Sequence, residues 1–423
     1  MRFCLVFALA IASTLSAADA PRWYKGNTHT HSLWSDGNDF PDMIAAWYKD
    51  QGYDFLALSD HNVLARGDKW MAETAIEKKK LAIGRKVLDK YRERFGPDWV
   101  ETRTDKEGKL EVRLKTLEEY RKKLQEPGFL LMEAEEISAG FGKAPIHINA
   151  INLTEVIPPV KDLVSIRETM RVNLQAIAEQ AQKTGRPIMA HINHPNFRWA
   201  LTAEDLAHVI EDRFFEVFNG HPMTYAEGAP ERADSSTDRI WDIANTIRLA
   251  ELKQPPLFGM GTDDSHHYHG GTSIPGRAWV MVRAAKLDSD ALVEAMQRGD
   301  FYASTGVTLE SVDFNEKTRE LRVKIKGEPG VKYTTEYRGT LKDYDRAVKE
   351  VPAPADDNHP VRLQYSAEVG KVLASSEALE SSYKLTGGEL YVRAIIRSDK
   401  VMANPILPEQ KQQAWTQPVG WKR

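Results

Sequence analysis

The 423-residue chain carries 12 histidines, and most of them stand beside acidic residues. His29-Thr30-His31 runs on into Ser35-Asp36-Gly37. Asp60-His61 follows the apolar stretch Phe55 to Leu58, and Glu133, Glu135 and Glu136 follow Phe129 to Met132, with His147 close behind. His191 and His194 come after Ile188 to Ala190, and Asp263, Asp264, His266, His267 and His269 come after Leu257 to Met260. An H-x-H pair on an extended strand points both imidazoles to one side, so both can reach one cation. Carboxylates add negative charge and can bridge two cations, a donor set that suits Zn, Mn or Fe. Clustered cations lower the pKa of bound water and polarise the bond to be cut. Each motif alone is a weak signal. Together they are strong, because a purely structural use would bury many polar groups with no common partner. His208, His221 and His359 lie outside these motifs and are read as surface or supporting residues.

The elements that must position these groups are legible as a rhythm. The five apolar stretches Phe55 to Leu58, Phe129 to Met132, Ile188 to Ala190, Phe214 to Phe218 and Leu257 to Met260 predict buried parallel strands. Between them, Pro41 to Gln51 and Ile166 to Thr184 predict helices that stop at Gly52 and Gly185. Thr202-Ala203-Glu204-Asp205 has the form of a capped helix start. Strand-then-helix repetition gives an α/β class with a parallel sheet, open or closed. In a barrel of this kind the C-terminal strand ends converge on one face, where catalytic groups collect. The stretch from about 66 to 126 is rich in Lys, Arg and Glu at helical spacing and predicts a helical insertion. After Gly306 the period becomes two, as in Leu321, Val323 and Ile325 or Val361, Leu363 and Tyr365, which predicts an antiparallel β-sandwich over 309–423. The barrel then occupies 21–308, and the β-sandwich is expected to supply no metal ligand.

Met1 to Ala20 reads as a signal peptide: Arg2, an apolar run from Phe3 to Ile11, then small residues up to Ala20. A periplasmic or secreted protein is the expectation. Cys4, the single cysteine, lies in that segment, so metal donors are limited to nitrogen and oxygen. A net charge of -4 gives no reason to expect nucleic acid or an anionic membrane as partner. The expected partner is a small anionic substrate, with Lys143, Arg198 and Arg277, each near a ligand motif, as the cations to meet it.

The motifs resemble those of the PHP superfamily, the polymerase and histidinol phosphatase metallohydrolases. The resemblance rests on His29-x-His31 with Ser35-Asp36-Gly37, Asp60-His61, Glu136-Ile137-Ser138, His147, Asn193-His194-Pro195 and Asp264-Ser265-His266, and it runs from about residue 26 to 306. Glu216-Val217-Phe218-Asn219-Gly220 and Gly299 to Gly306 resemble its exported, carbaryl-hydrolase-like branch. The resemblance implies a distorted (β/α)7 barrel with a centre of two to three divalent metal ions. His29 and His31 would share a first ion with Glu136 and Asp264. Glu136 would bridge to a second, held by His147 and His194, and Asp36, His61 and His266 would make the third site. Three neighbouring pairs leave the ligand open: His191 or His194, Asp263 or Asp264, Glu135 or Glu136. Asp60, Glu136 and Asp264 are the carboxylates expected to serve catalysis. The implied activity is that of a metal-dependent hydrolase, a phosphoesterase first and a carboxyl-ester or carbamate hydrolase second. A non-catalytic surface- or carbohydrate-binding protein, working through its β-domain, is the rival.

Overall fold

The structure is a computed structural model that describes residues 21–422; the signal-peptide reading falls outside the described residues. The chain opens with β1 (Arg22–Asn27), α1 (Pro41–Asp50) and β2 (Phe55–Leu58). The segment expected to be helical then brings β3 (Lys69–Ala72), α2 (Glu73–Lys79), α3 (Val87–Phe95), β4 (Thr102–Thr104), β5 (Leu110–Leu114) and α4 (Leu117–Leu124). It is mixed rather than helical. β5 pairs antiparallel with β3 and β4, and Val112 and Leu114 pack on Val87, Leu88 and Tyr91 of α3.

The central part continues with β6 (Leu130–Phe141), β7 (Ala144–Ile151), α5 (Ile166–Thr184), β8 (Met189–Ile192), α6 (Ala203–His208), β9 (Phe214–Asn219), α7 (Thr237–Ile247), β10 (Phe258–Thr262), β11 (Trp279–Ala284), α8 (Ser289–Arg298) and β12 (Phe301–Ser304). Helix α5 begins where Ser165 caps the Glu168 N–H and ends at Gly185, whose φ of +67° is the left-handed stop glycine tolerates. Its Met170, Leu174 and Ile177 face the sheet. Thr202 and Asp205 form a reciprocal capping box on α6.

The sheet is mixed, not all parallel. β2 runs parallel to β1 and β6, and β9 runs parallel to β8 and β10, but β6–β7, β7–β8 and β1–β11 are antiparallel. Nor is it a closed barrel. Its order is β10-β9-β8-β7-β6-β2-β1-β11-β12 and onward, and no ladder among the described residues joins β10 to β11 or β12. The free edge of β10 is instead satisfied by Gln417, whose side-chain amide accepts from Gly259 N (2.8 Å) and donates to Gly259 O (3.0 Å). The sheet still curls until its strand ends meet: Asp264 N reaches His29 O and His31 N reaches Ser265 O, both at 2.9 Å.

The remainder comprises β13 (Leu309–Asn315), β14 (Glu320–Ile325), β15 (Tyr333–Gly339), β16 (Val348–Pro352), β17 (Val361–Tyr365), β18 (Lys371–Ser376), β19 (Glu380–Lys384), β20 (Arg393–Val401) and β21 (Lys411–Thr416). β13-β14-β19 packs over β15 and β20 through Leu321, Val323, Tyr337, Ala394 and Ile396. β21 pairs with β12, so one 13-stranded sheet runs through both parts of the chain. No helix among the described residues is long and apolar enough to cross a membrane.

Candidate metal centre

His29 and His31 leave the end of β1 with their side chains on one side, while Thr30 turns the other way onto Ser265 and Tyr268. The loop after His31 folds back over it. A Cβ on Gly37 would stand 2.3 Å from the His31 carbonyl oxygen, so only glycine permits this approach. Asp60 fixes the loop: its carboxylate accepts from Ser32 N (2.8 Å), Ser32 Oγ (2.7 Å) and Ser35 Oγ (2.6 Å). From the insertion, Lys79 Nζ donates to Ser35 O (2.9 Å) and Gly37 O (3.1 Å). Asp60 thus positions the segment that carries Asp36, with its carboxylate turned to Ser32 and Ser35.

Glu136 is the hub. Its Oε1 lies 3.0 Å from His147 Nδ1, 3.4 Å from His29 Nε2 and 3.5 Å from His194 Nε2, and its Oε2 lies 2.8 Å from His61 Nδ1 and 3.4 Å from His31 Nε2. Asp264 Oδ1 stands 3.3 Å from His29 Nε2 and 3.2 Å from His31 Nε2. Asp36, at the exposed rim, reaches His31, His61 and His266 at 3.7, 3.5 and 3.4 Å. Three sets bring ligand atoms within 4.8 Å of one another: His31-Asp36-His61-His266, His29-His31-Glu136 and His61-Glu136-His147. The sets overlap through His31, His61 and Glu136, so the third site is not as separate as the motif order implied.

The three open pairs take distinct places. His194 faces Glu136, while His191 is fully buried with Nε2 3.2 Å from Thr28 Oγ1. Glu135 points to the other side of the strand and accepts from Ile157 N at 2.7 Å. Asp263 accepts from Gly276 N, Arg277 N, Ala278 N and the Tyr48 hydroxyl, which anchors the loop after β10. Arg277, expected to meet the substrate, has its guanidinium donating to Gly220 O (2.6 Å) and Asn404 O (3.0 Å).

One residue central to the site was expected neither as a ligand nor as a catalytic group. Glu216, fully buried on β9, accepts from His29 Nδ1 (2.6 Å), Thr262 Oγ1 (2.7 Å), His194 N (2.7 Å) and Asn219 Nδ2 (2.8 Å). The Nδ1–H of His29 is thereby fixed on Glu216, and its Nε2 lone pair faces Glu136 and Asp264, the arrangement that orients metal-binding histidines. Its sequence signals were a carboxylate inside the apolar run Phe214 to Phe218 and its place at the head of the Glu216-to-Gly220 motif. Glu216→Gln is expected to weaken metal affinity by about 10–100-fold while the fold persists, read by competition with a chelator. An unchanged affinity would remove Glu216 from this role.

The electrostatics fit an intended cation. His29 Nε2, His31 Nδ1, Glu136 Oε2 and His147 Nδ1 are buried without a hydrogen-bond partner. Such orphans are costly unless an ion completes them. Burial opposes the charge on His29, yet Asp264, Glu216 and Glu136 outweigh it and hold its pKa well above the ordinary value. Burial, then His266 and His61, push His31 down to about 4. Burial disfavours the charge on Glu136, but His61, His147 and His29 overcome it and hold its carboxyl well below the usual range. The nitrogen and oxygen donor set suits Zn, Mn or Fe. Asp36→Asn is expected to lower metal content by about one ion per chain, because Glu136 still gathers the deeper histidines. Elemental analysis reads this, and loss of all metal from a folded variant would contradict it.

The cluster opens into a cavity of about 310 Å³ that His221, His267, Phe197 and Met223 also line. His221 thus belongs to the site wall rather than the surface. Its Nδ1 accepts from Met223 N at 3.2 Å, so the neutral ring carries its proton on Nε2. Burial first, then nearby His266 and His194, push its pKa to about 4 against the pull of Asp264. Lys143 and Arg198 line an adjoining cavity instead.

No protein-family profile matches the chain, and no curated protein matches it. Among solved structures it is similar to a Bacteroides vulgatus two-domain protein described as containing a predicted PHP-like metal-dependent phosphoesterase. That likeness covers 94% of this chain and 96% of that one, at 15% identity and a TM-score of 0.40. It is also similar to a Bifidobacterium adolescentis protein described as a metal-dependent phosphoesterase, over 59% of this chain and 90% of that one, at 13% identity and a TM-score of 0.30.

Proposed function

We propose that the protein is an exported metal-dependent hydrolase that cleaves small phosphoesters, monoester or diester. The carrying observation is the convergence of His29, His31, His61, His147, His194 and His266 on Glu136, Asp264 and Asp36 around one open cavity. Divalent cations held there would lower the pKa of a bound water and neutralise charge on the phosphoryl oxygens. The chain's own groups do the rest. Glu216 fixes the tautomer of His29, Asp60 and Lys79 fix the loop that presents Asp36, and His221 offers a neutral Nε2–H to the cavity. Three overlapping donor sets favour a substrate whose equatorial oxygens gain charge during attack, which describes phosphoryl better than acyl transfer. Export rests on the sequence of residues 1–20 alone. The test compares aryl phosphate, bis-aryl phosphate and aryl carboxylate esters on one metal-loaded preparation. Efficiency toward a phosphate is expected to lead. A carboxylate ester ahead of both by about tenfold, or about 1.4 kcal/mol in transition-state binding, would reverse the ranking.

A further inference from the structure

A second cavity, of about 660 Å³, adjoins the metal cavity and shares Phe197 and Met223 with it. Phe197 stands at the junction, its ring 5.1 Å from His194 and 6.3 Å from His147. Beyond it Trp199 stacks on Tyr225 at 5.1 Å and 14°, and Met223 and Tyr225 are each 48% exposed toward the opening. Arg198, Trp199 and Tyr225 all hold left-handed backbone, with φ of 52°, 54° and 42°. Such conformations in non-glycine residues persist only where surroundings impose them, and they gather at ligand sites. Here buried Asn196 imposes one of them, donating to Tyr225 O (2.9 Å) and Ser235 O (2.6 Å).

The far wall comes from the C-terminal region. The loop between β16 and β17 leans onto this cleft: Asn358 Nδ2 donates to Arg198 O at 2.6 Å, and His359 Nε2 lies 3.2 Å from Ala200 O. The acids of that loop are held by two guanidiniums, one of which Glu231 shares. Asp357 lies 2.7 Å from Arg362 and 3.3 Å from Arg232, and Asp356 also pairs with Arg232. Lys143 and Arg198, exposed on the same cleft, make no ion pair among the described residues. Two unpaired cations against one carboxylate in excess leave the cleft net positive, set beside aromatic and thioether surface.

We infer that this cleft selects the substrate: it takes an ester arm that carries a planar ring and ends in an anionic group. Resting on the phosphoesterase reading, the arm passes Phe197 from the scissile group, lies on Met223 and Tyr225, and meets Lys143 and Arg198 with its charge. The C-terminal region is then part of the binding site and not merely attached to it.

The experiment uses three phosphodiesters that share p-nitrophenolate as leaving group and differ in the other arm: methyl, benzyl and 4-carboxybenzyl. In the metal-loaded protein, KM is expected to fall at each step, by about threefold to fivefold from benzyl to carboxybenzyl, the size of an exposed ion pair. Lys143→Gln with Arg198→Gln should erase that last step with unchanged metal content, and Arg198→Lys should keep most of it. Calorimetric binding of methyl-, benzyl- and 4-carboxybenzylphosphonate gives the same ranking without turnover. Equal affinity for the three phosphonates, or a carboxylate advantage that survives the double substitution, overturns the inference. Charge-dependent phosphonate binding with no ester hydrolysed leaves the cleft standing and overturns the phosphoesterase reading instead.

Discussion

Glu136→Ala is expected to lose more than half of the bound metal and nearly all activity, a larger effect than any other single substitution at the cluster. Five histidines converge on its two oxygens, and two of the three donor sets include it. Without it His61 and His147 lose the carboxylate that unites them, and His29 keeps only Asp264 and Glu216. Loss of the cations removes several kcal/mol of transition-state stabilisation, on the order of 10³-fold in rate. Glu136→Gln should behave nearly as badly, since it retains an acceptor for Asn193 Nδ2 but not the charge. Either variant with full metal content would remove Glu136 from the centre. The same electrostatics predict proton release on metal binding. Burial works against the charge on His61, but Glu136 and Asp36 prevail and raise its pKa to about 11. In the metal-free protein His61 is protonated at neutral pH, and it must give up that proton to bind metal. Affinity therefore falls as pH falls. Calorimetry in two buffers of different ionisation enthalpy reads the released protons; identical apparent enthalpies would contradict this.

The ligand motifs were readable because each combines a local backbone rule with an unusual residue. H-x-H, or a histidine before Pro195, marks a candidate donor without knowledge of the fold. Asp60 and Asp36 show where such reading ends. Both are carboxylates beside histidine motifs, and only the loop that folds over Gly37 decides that one faces the cluster and the other the serine hydroxyls. Arg277 is similar, since its carbonyl partners Gly220 and Asn404 lie 57 and 127 residues away in the chain. The parallel pattern failed at β6 for a related reason. Its twelve residues continue past Glu136 through Ile137 to Phe141 and turn at Gly142, so His147 arrives on an antiparallel partner opposite Ser138. Alternating polar residues in that stretch hid a strand that a search for apolar runs truncates. The helical reading of the insertion missed β3, β4 and β5, three strands of three to five residues in which Lys, Arg, Glu and Thr interrupt any apolar run, with β4 an exposed edge. The pairing of β12 with β21, more than 100 residues apart, leaves no local trace at all.

Asp242→Asn should destabilise the whole chain by about 3–5 kcal/mol, the cost of leaving a buried charge without its partner. Asp242 lies on α7 and Arg393 on β20, and both side chains are almost completely buried. The guanidinium meets the carboxylate with two bonds, Nε to Oδ1 and Nη2 to Oδ2, each 2.8 Å. Tyr391 adds its hydroxyl to Asp242 at 2.7 Å, and the guanidinium lies 4.3 Å over the Trp241 ring. The contact is tight as well as polar: a Cβ on Gly370 would fall 2.4 Å from Asp242 Cβ. Burial disfavours the charge on Arg393, and Asp242 is the first of the groups that hold it; a guanidinium stays charged at any ordinary pH, so Asp242→Asn leaves that charge buried without its main partner. Asp238, 3.0 Å from Nη2, is partly exposed and gives only partial relief, which puts the loss near the lower end of the range. The pair joins the N-terminal α/β part to the C-terminal sheets, so the substitution should also separate one unfolding transition into two. A paired Asp242→Leu, Arg393→Met variant removes both charges and should recover most of the loss, as apolar replacements of buried ion pairs do. Denaturant unfolding followed by far-UV circular dichroism measures all three proteins. A loss below about 1 kcal/mol in Asp242→Asn, the range of an exposed pair, would show that water reaches this junction.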